Sequence, residues 1–281
     1  MRRVMVRLGL SSTAGFFLLG LSLAAGALAA ACGPAETTSG RRVALQTRIV
    51  ADDGIEAPFV NAYGWSIRLS VAAVSVGPLY YFNGAPIFSA AAAPPRPRDT
   101  FAAFLGLGLA HAHPGHYEAG DAMGQVLVPS SVDLTKGPAE LPAGEGVAGL
   151  YRSARFTYEP TPTGDAKDTL AGHVVVLEGE AQKAMMIRLF RVELDAEDVL
   201  DAYGEPRLEG CVFEGAPDVQ DDGTITVHVA PSLWLDQAEF DEVPESADGS
   251  PVVLPRDGAA FRAVARGFKK GSAVTFTYST P

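Results

Sequence analysis

The chain is poor in cysteine: two in 281 residues, Cys32 and Cys211. That number excludes a disulfide-built scaffold and every zinc site that needs two or more thiolates besides Cys32. Tryptophan and methionine are also scarce, with two and five residues. Positive charge is thin: 22 Lys and Arg against 33 Asp and Glu, a formal net charge of −11. An acidic surface of this kind disfavours nucleic acid and anionic headgroups as partners. After residue 32 no apolar run is long enough to span a bilayer. Long stretches of helical periodicity are missing too, which argues against a helical bundle or an alternating α/β fold. No Gly-x-Ser-x-Gly elbow, phosphate-cradling glycine loop or dinucleotide fingerprint occurs.

What is present begins at the N-terminus. Arg2, Arg3 and Arg7 form a basic head, an uncharged apolar stretch follows from Leu8 to Leu28, and Ala29-Ala30-Ala31-Cys32 closes it. This is the plan of a secretory signal, with a cationic start, an apolar core and small residues at the cut. The cysteine directly after the small residues makes the segment resemble a bacterial lipoprotein signal. The usual box is Leu, two small residues and Cys; here Leu28 stands one place early and Ala29 takes its position. The resemblance implies removal of residues 1–31 and lipidation of Cys32. It further implies an extracytoplasmic protein, periplasmic or at the cell surface. Because residue 33 is Gly rather than Asp, it implies the outer membrane. Residues 32–42, with Gly33-Pro34-Ala35-Glu36-Thr37-Thr38-Ser39-Gly40, read as the lipidated cysteine and a flexible tether. Cys211, between Gly210 and Val212, reads as a small buried hydrophobe. Cleavage without lipidation would leave a pairing of Cys32 with Cys211 open.

Residues 43–281 read as one β-rich domain. Trp65, Ile67, Leu69 and Val71 alternate with Ser66, Arg68 and Ser70, and the phase slips across Ala72-Ala73 as in a β-bulge. Val43, Leu45 and Ile49, then Ile225, Val227 and Val229, then Val274, Phe276 and Tyr278 show the same period of two. Gly124–Val128, Ala148–Tyr158, Gly172–Leu177, Met185–Leu194 and Ala260–Phe268 add further strand-like runs. Asn83-Gly84, Asp53-Gly54, Asp222-Gly223, Asp248-Gly249 and Asp257-Gly258 suit tight turns. Helical signals cover only about Asp99–Leu109 and Asp195–Tyr203. The sum is an all-β fold, an antiparallel β-sandwich or open barrel with one or two short helices in its loops. Its longest irregular insertion begins at Ser89 and leads into a histidine segment.

That segment, His111-Ala112-His113-Pro114-Gly115-His116, holds three of the five histidines. Neutral imidazole is the commonest metal-binding side chain. In an extended segment His111 and His113 project to one side, and the Pro114-Gly115 turn can return His116 to a third position. Three nitrogens with an optional oxygen from Tyr117, Glu118 or Asp121 suit zinc or copper. His111, His113 and His116 are therefore the metal-ligand candidates. Tyr80-Tyr81, Met123 and Met185-Met186 are secondary candidates for soft or aromatic contacts and are better read as packing. The hexapeptide also resembles the His-x-His-x-Asp-His signature of metallo-β-lactamase-fold hydrolases, with His173 and His228 downstream. Gly115 stands where that family has its Asp, and the long helices of its fold are not predicted here. Asp195, Glu197, Asp198, Asp201 and Glu205, and likewise Asp218, Asp221 and Asp222, lack EF-hand spacing and read as solvated loops. The functional expectation is a membrane-anchored lipoprotein that binds copper or zinc for delivery, sequestration or sensing, served by a metal-donor or acceptor protein, and not an enzyme. The alternative is a structural or interaction lipoprotein that binds a protein or glycan.

Overall fold

The computed structural model describes residues 40–52, 55, 57–86 and 119–281. Sixteen strands follow in order: β1 Arg42–Ala51, β2 Phe59–Val60, β3 Ser66–Val76, β4 Leu79–Phe82, β5 Ala122–Val126, β6 Ser130–Asp133, β7 Ala139–Val147, β8 Gly149–Leu150, β9 Ser153–Thr157, β10 Val175–Lys183, β11 Met186–Leu194, β12 Arg207–Phe213, β13 Asp218–Val219, β14 Gly223–Val229, β15 Val252–Val253 and β16 Val274–Ser279. Eight of them close a barrel in the order β1-β14-β16-β12-β9-β4-β5-β7. A second sheet runs β15-β11-β10-β3-β2, with β6 paired to the far end of β3. The short pair β13-β8 stands apart.

Alternation sets the barrel's inside and outside. Along β1, Val43, Leu45, Thr47 and Ile49 are buried, while Arg42, Ala44, Gln46 and Arg48 are exposed. Ile225, Val227 and Val229 of β14, Phe276 of β16 and Phe213 of β12 complete the apolar filling. The interior is a packed core and the polar side faces outwards, the reverse of a barrel that crosses a bilayer. Tyr81, Tyr151, Phe213 and Phe276 interlock inside it, with ring centroids 5.5–6.1 Å apart in mostly edge-to-face contacts. The second sheet shares the same hydrophobic cluster through Trp65, Ile67, Leu177, Phe190 and Val192.

The all-β expectation holds, and several finer expectations do not. The barrel is closed rather than open, and a second sheet shares its core. It is also not purely antiparallel, because β1 pairs β14 and β12 pairs β16 in parallel. Parallel pairs need a crossover, and the chain supplies one between β12 and β16 that carries two helices. The second of these, Ala259–Phe268, is the third correction, since this run reads as a strand in the sequence. Its alternating apolar letters fit both periods, but Arg262 and Arg266 stand four residues apart and share the exposed face of a helix. The helix packs so closely that a Cβ at Gly267 would lie 2.2 Å from the Trp234 carbonyl oxygen. Trp234 stacks on Phe268 at 4.1 Å. Near Asp195 only a 3-10 turn forms, Ala196–Val199, with Asp198 accepting from the Asp195 amide at 2.8 Å. The bulge of β3 falls at Ser70, where the register with β10 shifts, two residues before Ala72. Asn83-Gly84 is not a hairpin turn, because residues 87–118 are inserted between β4 and β5. The predicted helix at Asp99–Leu109 lies outside the described residues.

One of the barrel's two thin seams lies between β5 and β7, which pair only at Gly124↔Gly146 and Gln125↔Glu145, as β12 and β16 pair only at two positions. Tyr151 crosses the interior to this seam. Its hydroxyl donates toward the carbonyls of Met123 at 2.7 Å and Val147 at 3.1 Å, one on each side. Glycine is required opposite it, since a Cβ at Gly146 would come within 2.3 Å of that hydroxyl. Burial pushes the Tyr151 phenol up to about 12. The folded state thus keeps it neutral while the unfolded chain ionises it near its ordinary 10.0. The stability this confers is complete below pH 10 and is lost as pH rises towards 12. Tyr151→Phe is expected to lower unfolding stability at pH 7 by about 1–3 kcal/mol in urea titration. It should also lessen the loss of stability between about pH 10 and 12; an unchanged midpoint at pH 7 would refute the seam's dependence on this hydroxyl.

Candidate functional site

The histidine segment is rooted at one rim of the barrel. Its stems are the end of β4 and the start of β5, and they are clasped by reciprocal bonds. The Asp121 amide donates to Asn83 Oδ1 at 2.8 Å, and Asn83 Nδ2 donates to Asp121 Oδ2 at 3.0 Å. The Asn83 and Gly84 amides donate to the carbonyls of Asp121 and Ala119 at 3.2 and 2.9 Å. Gly120 allows this closeness through its φ of +74°, where a Cβ would sit 2.3 Å from Asn83 Oδ1. Ser153 Oγ donates to the Gly84 carbonyl at 2.8 Å, fixing the stem to β9.

The same rim receives the start of the barrel. Arg42 lies opposite Val147, Gly146 opposite Gly124, and Ala122 opposite Phe82, so β1, β7, β5 and β4 meet there in sequence. The Ala148 amide donates to the Arg41 carbonyl at 2.7 Å, and Arg41 pairs with Asp221 at 2.6 Å. Beside the stem lies a shallow groove of about 240 Å³ lined by Arg42, Met123, Gln125, Glu145 and Val147. Met123 is half-buried at the foot of β5, and Glu145 receives Gln125 Nε2 at 3.4 Å and faces Arg42 at 3.8 Å.

His111, His113 and His116 lie outside the described residues, as does Cys32. The two histidines that are described are both engaged. His173 places Nδ1 2.7 Å from Asp195 and Nε2 3.4 Å from Glu193. His228 sits on the threonine face of β14, as its alternation predicts. Its Nδ1 is 2.6 Å from Asp52 and its Nε2 is 2.9 Å from Thr277 Oγ1, a chain across three neighbouring strands that sequence spacing did not reveal. Cys211 is a free, fully buried thiol in the barrel wall, and burial pushes it up to about 12, so it is an inert hydrophobe as its neighbours suggest. Among the secondary candidates, Tyr81 is buried in the barrel and Met185 is fully exposed at the β10–β11 turn. Tyr81 stands near the end of β4 opposite Gly124, with its ring turned into the core, and Met185 is remote from the stem.

The acidic clusters are structural. Asp195 and Asp198 both pair with Arg256, and Asp201 accepts from Arg207 at 2.9 Å. Asp222 accepts from the Ala44 amide at 2.8 Å. Among the described residues no group of three or more His, Cys, Asp or Glu could hold a metal ion, and no helix is long and apolar enough to cross a membrane.

No protein-family model matches the chain, and neither does any curated protein. Among solved structures the chain is similar to MbnP from Methylosinus trichosporium, with 11% sequence identity and a TM-score of 0.42, over 86% of this chain and 100% of that one.

The clasp yields a direct expectation. Asn83→Ala removes both side-chain bonds of the stem at a cost of about 1–2 kcal/mol. Hydrogen exchange followed by mass spectrometry should show faster exchange at Asp121–Gly124 with the β10–β11 sheet unchanged. Equal protection in both proteins would contradict a stem held by this pair.

Proposed function

We propose that the chain is a lipid-anchored extracytoplasmic protein that binds a copper or zinc ion through His111, His113 and His116, for delivery, sequestration or sensing. The observation that carries this reading is the His-x-His-x-x-His hexapeptide, three of the chain's five histidines in six residues. Two further observations support it. His173 and His228 are each bonded to a carboxylate, so the remaining imidazoles are those of the hexapeptide. The inserted segment also leaves the barrel from a stapled stem, which suits a ligand loop because the scaffold can hold a site while the loop varies. Lipidation at Cys32 would tether the body to a membrane, and Arg42, at the start of the described barrel, lies at the rim that carries the stem. A metal donor or acceptor protein is the implied partner.

Calorimetric titration of the purified chain with Cu²⁺ and Zn²⁺ tests the reading. One of the two metals should bind one-to-one with sub-micromolar affinity, and replacement of all three histidines by Ala should weaken binding by about 100-fold or more. Binding of equal strength in both proteins would overturn it.

A further inference from the structure

The chain holds two asparagines, Asn61 and Asn83, and they stand in opposite circumstances. Asn61 is buried, and its side chain is fully engaged. Nδ2 donates to the carbonyls of Leu235 and Ala238 at 3.1 and 2.6 Å, and Oδ1 accepts from the amides of Tyr63 and Trp65 at 3.1 and 3.0 Å. Ala62 follows it. Asn83 is half-buried, forms part of the stem's clasp and is followed by Gly84. An asparagine before glycine is prone to self-modification, because a residue without a Cβ leaves its backbone nitrogen open to the preceding side chain.

The step needs only water besides the chain. The Gly84 nitrogen gives up its proton and bonds to Asn83 Cγ, the Cγ–Nδ2 bond breaks, and Nδ2 leaves as ammonia with that proton. Water then opens the cyclic imide at either carbonyl. One opening gives aspartate; the other gives isoaspartate, in which the backbone runs through the side-chain carboxyl.

The closed stem opposes this reaction. Asn83 Nδ2 donates to Asp121 Oδ2 at 3.0 Å and Oδ1 accepts from the Asp121 amide at 2.8 Å. The Gly84 amide donates its proton to the Ala119 carbonyl at 2.9 Å, so the attacking nitrogen is engaged as well. Local opening of the stem frees both partners. After the reaction the clasp cannot re-form. Where Nδ2 donated to Asp121 Oδ2, a carboxylate oxygen would face a carboxylate oxygen, and like charges at hydrogen-bond distance repel. Isoaspartate also moves the Gly84 amide out of register with the Ala119 carbonyl. We propose that Asn83 is a self-modification site protected by its own clasp: opening of the stem lets Gly84 cyclise onto Asn83, and the acid that forms keeps the stem open. No histidine takes part, so this inference stands apart from the metal reading.

The experiment is incubation of the full chain in neutral buffer, followed by peptide mapping for the amide-to-acid mass gain and for isoaspartate. Modification should accumulate at Asn83 and not at Asn61. Asp121→Ala, at an exposed position, removes the acceptor of Nδ2 and should speed the reaction by about tenfold. In urea the two proteins should react at the same rate. Asn83→Asp mimics the product. Its amides at Asp121–Gly124 should exchange faster than those of Asn83→Ala, because repulsion adds to the lost bond. Equal rates for the native chain and native Asp121→Ala, a native rate equal to that in urea, or modification of Asn61 as fast as that of Asn83 would each overturn the proposal. Protection in Asn83→Asp equal to or above that in Asn83→Ala would overturn it too.

Discussion

The structure depends on the closure of the barrel at the thin seam between β5 and β7. Between β5 and β7 the backbone supplies two residue pairs, too few to hold a sheet edge together unaided. The Tyr151 hydroxyl bridges the carbonyls on either side, Gly124 and Gly146 make room for the ring, and Tyr81, Phe213 and Phe276 hold that ring in place. A buried carbonyl left without a donor costs about as much as a good hydrogen bond contributes, so the phenol acts on both strands at once. Without this closure the interior aromatics would be exposed along one edge.

The seam is also where the chain departs from regular structure. Residues 87–118 are inserted next to it, between β4 and β5, and the Asn83–Asp121 clasp holds their ends two residues before Tyr151's acceptor at Met123. Arg41 and Arg42 enter on the other side of the seam, along β7. The ion pairs around Arg256, Arg191 and Arg207 tie turns to strands, and the two described histidines serve as hydrogen-bonded bridges.

Much of the fold is legible in the sequence, for a physical reason. A barrel strand with one buried and one wet face must alternate, so β1, β3, β14 and β16 announce themselves, down to His228 on the polar face of β14. Closure is not legible, because the strands that accomplish it are the poorest in strand signals. β5 and β7 carry Gly124 and Gly146, whose missing side chains make space for aromatics that arrive from elsewhere in the chain. The helix Ala259–Phe268 is ambiguous because small alternating residues satisfy both periods, and the contact of its Phe268 with Trp234 decides between them. The candidate site divides in the same way. The histidine hexapeptide stands out in the sequence, while its stem arises from residues far apart in the chain, Asn83 with Asp121.

The molecule is a packed, acidic β-barrel with a second sheet on a shared core, and its histidine segment is inserted between β4 and β5. The proposal is that this segment supplies the ligands of a transition metal. X-ray absorption spectroscopy at the copper and zinc edges of the loaded protein tests that claim most directly. The account predicts a first shell dominated by imidazole nitrogen, lost when His111, His113 and His116 are replaced. A shell of oxygen alone, a sulfur ligand from Cys211, or imidazole scattering that survives the replacement would contradict it.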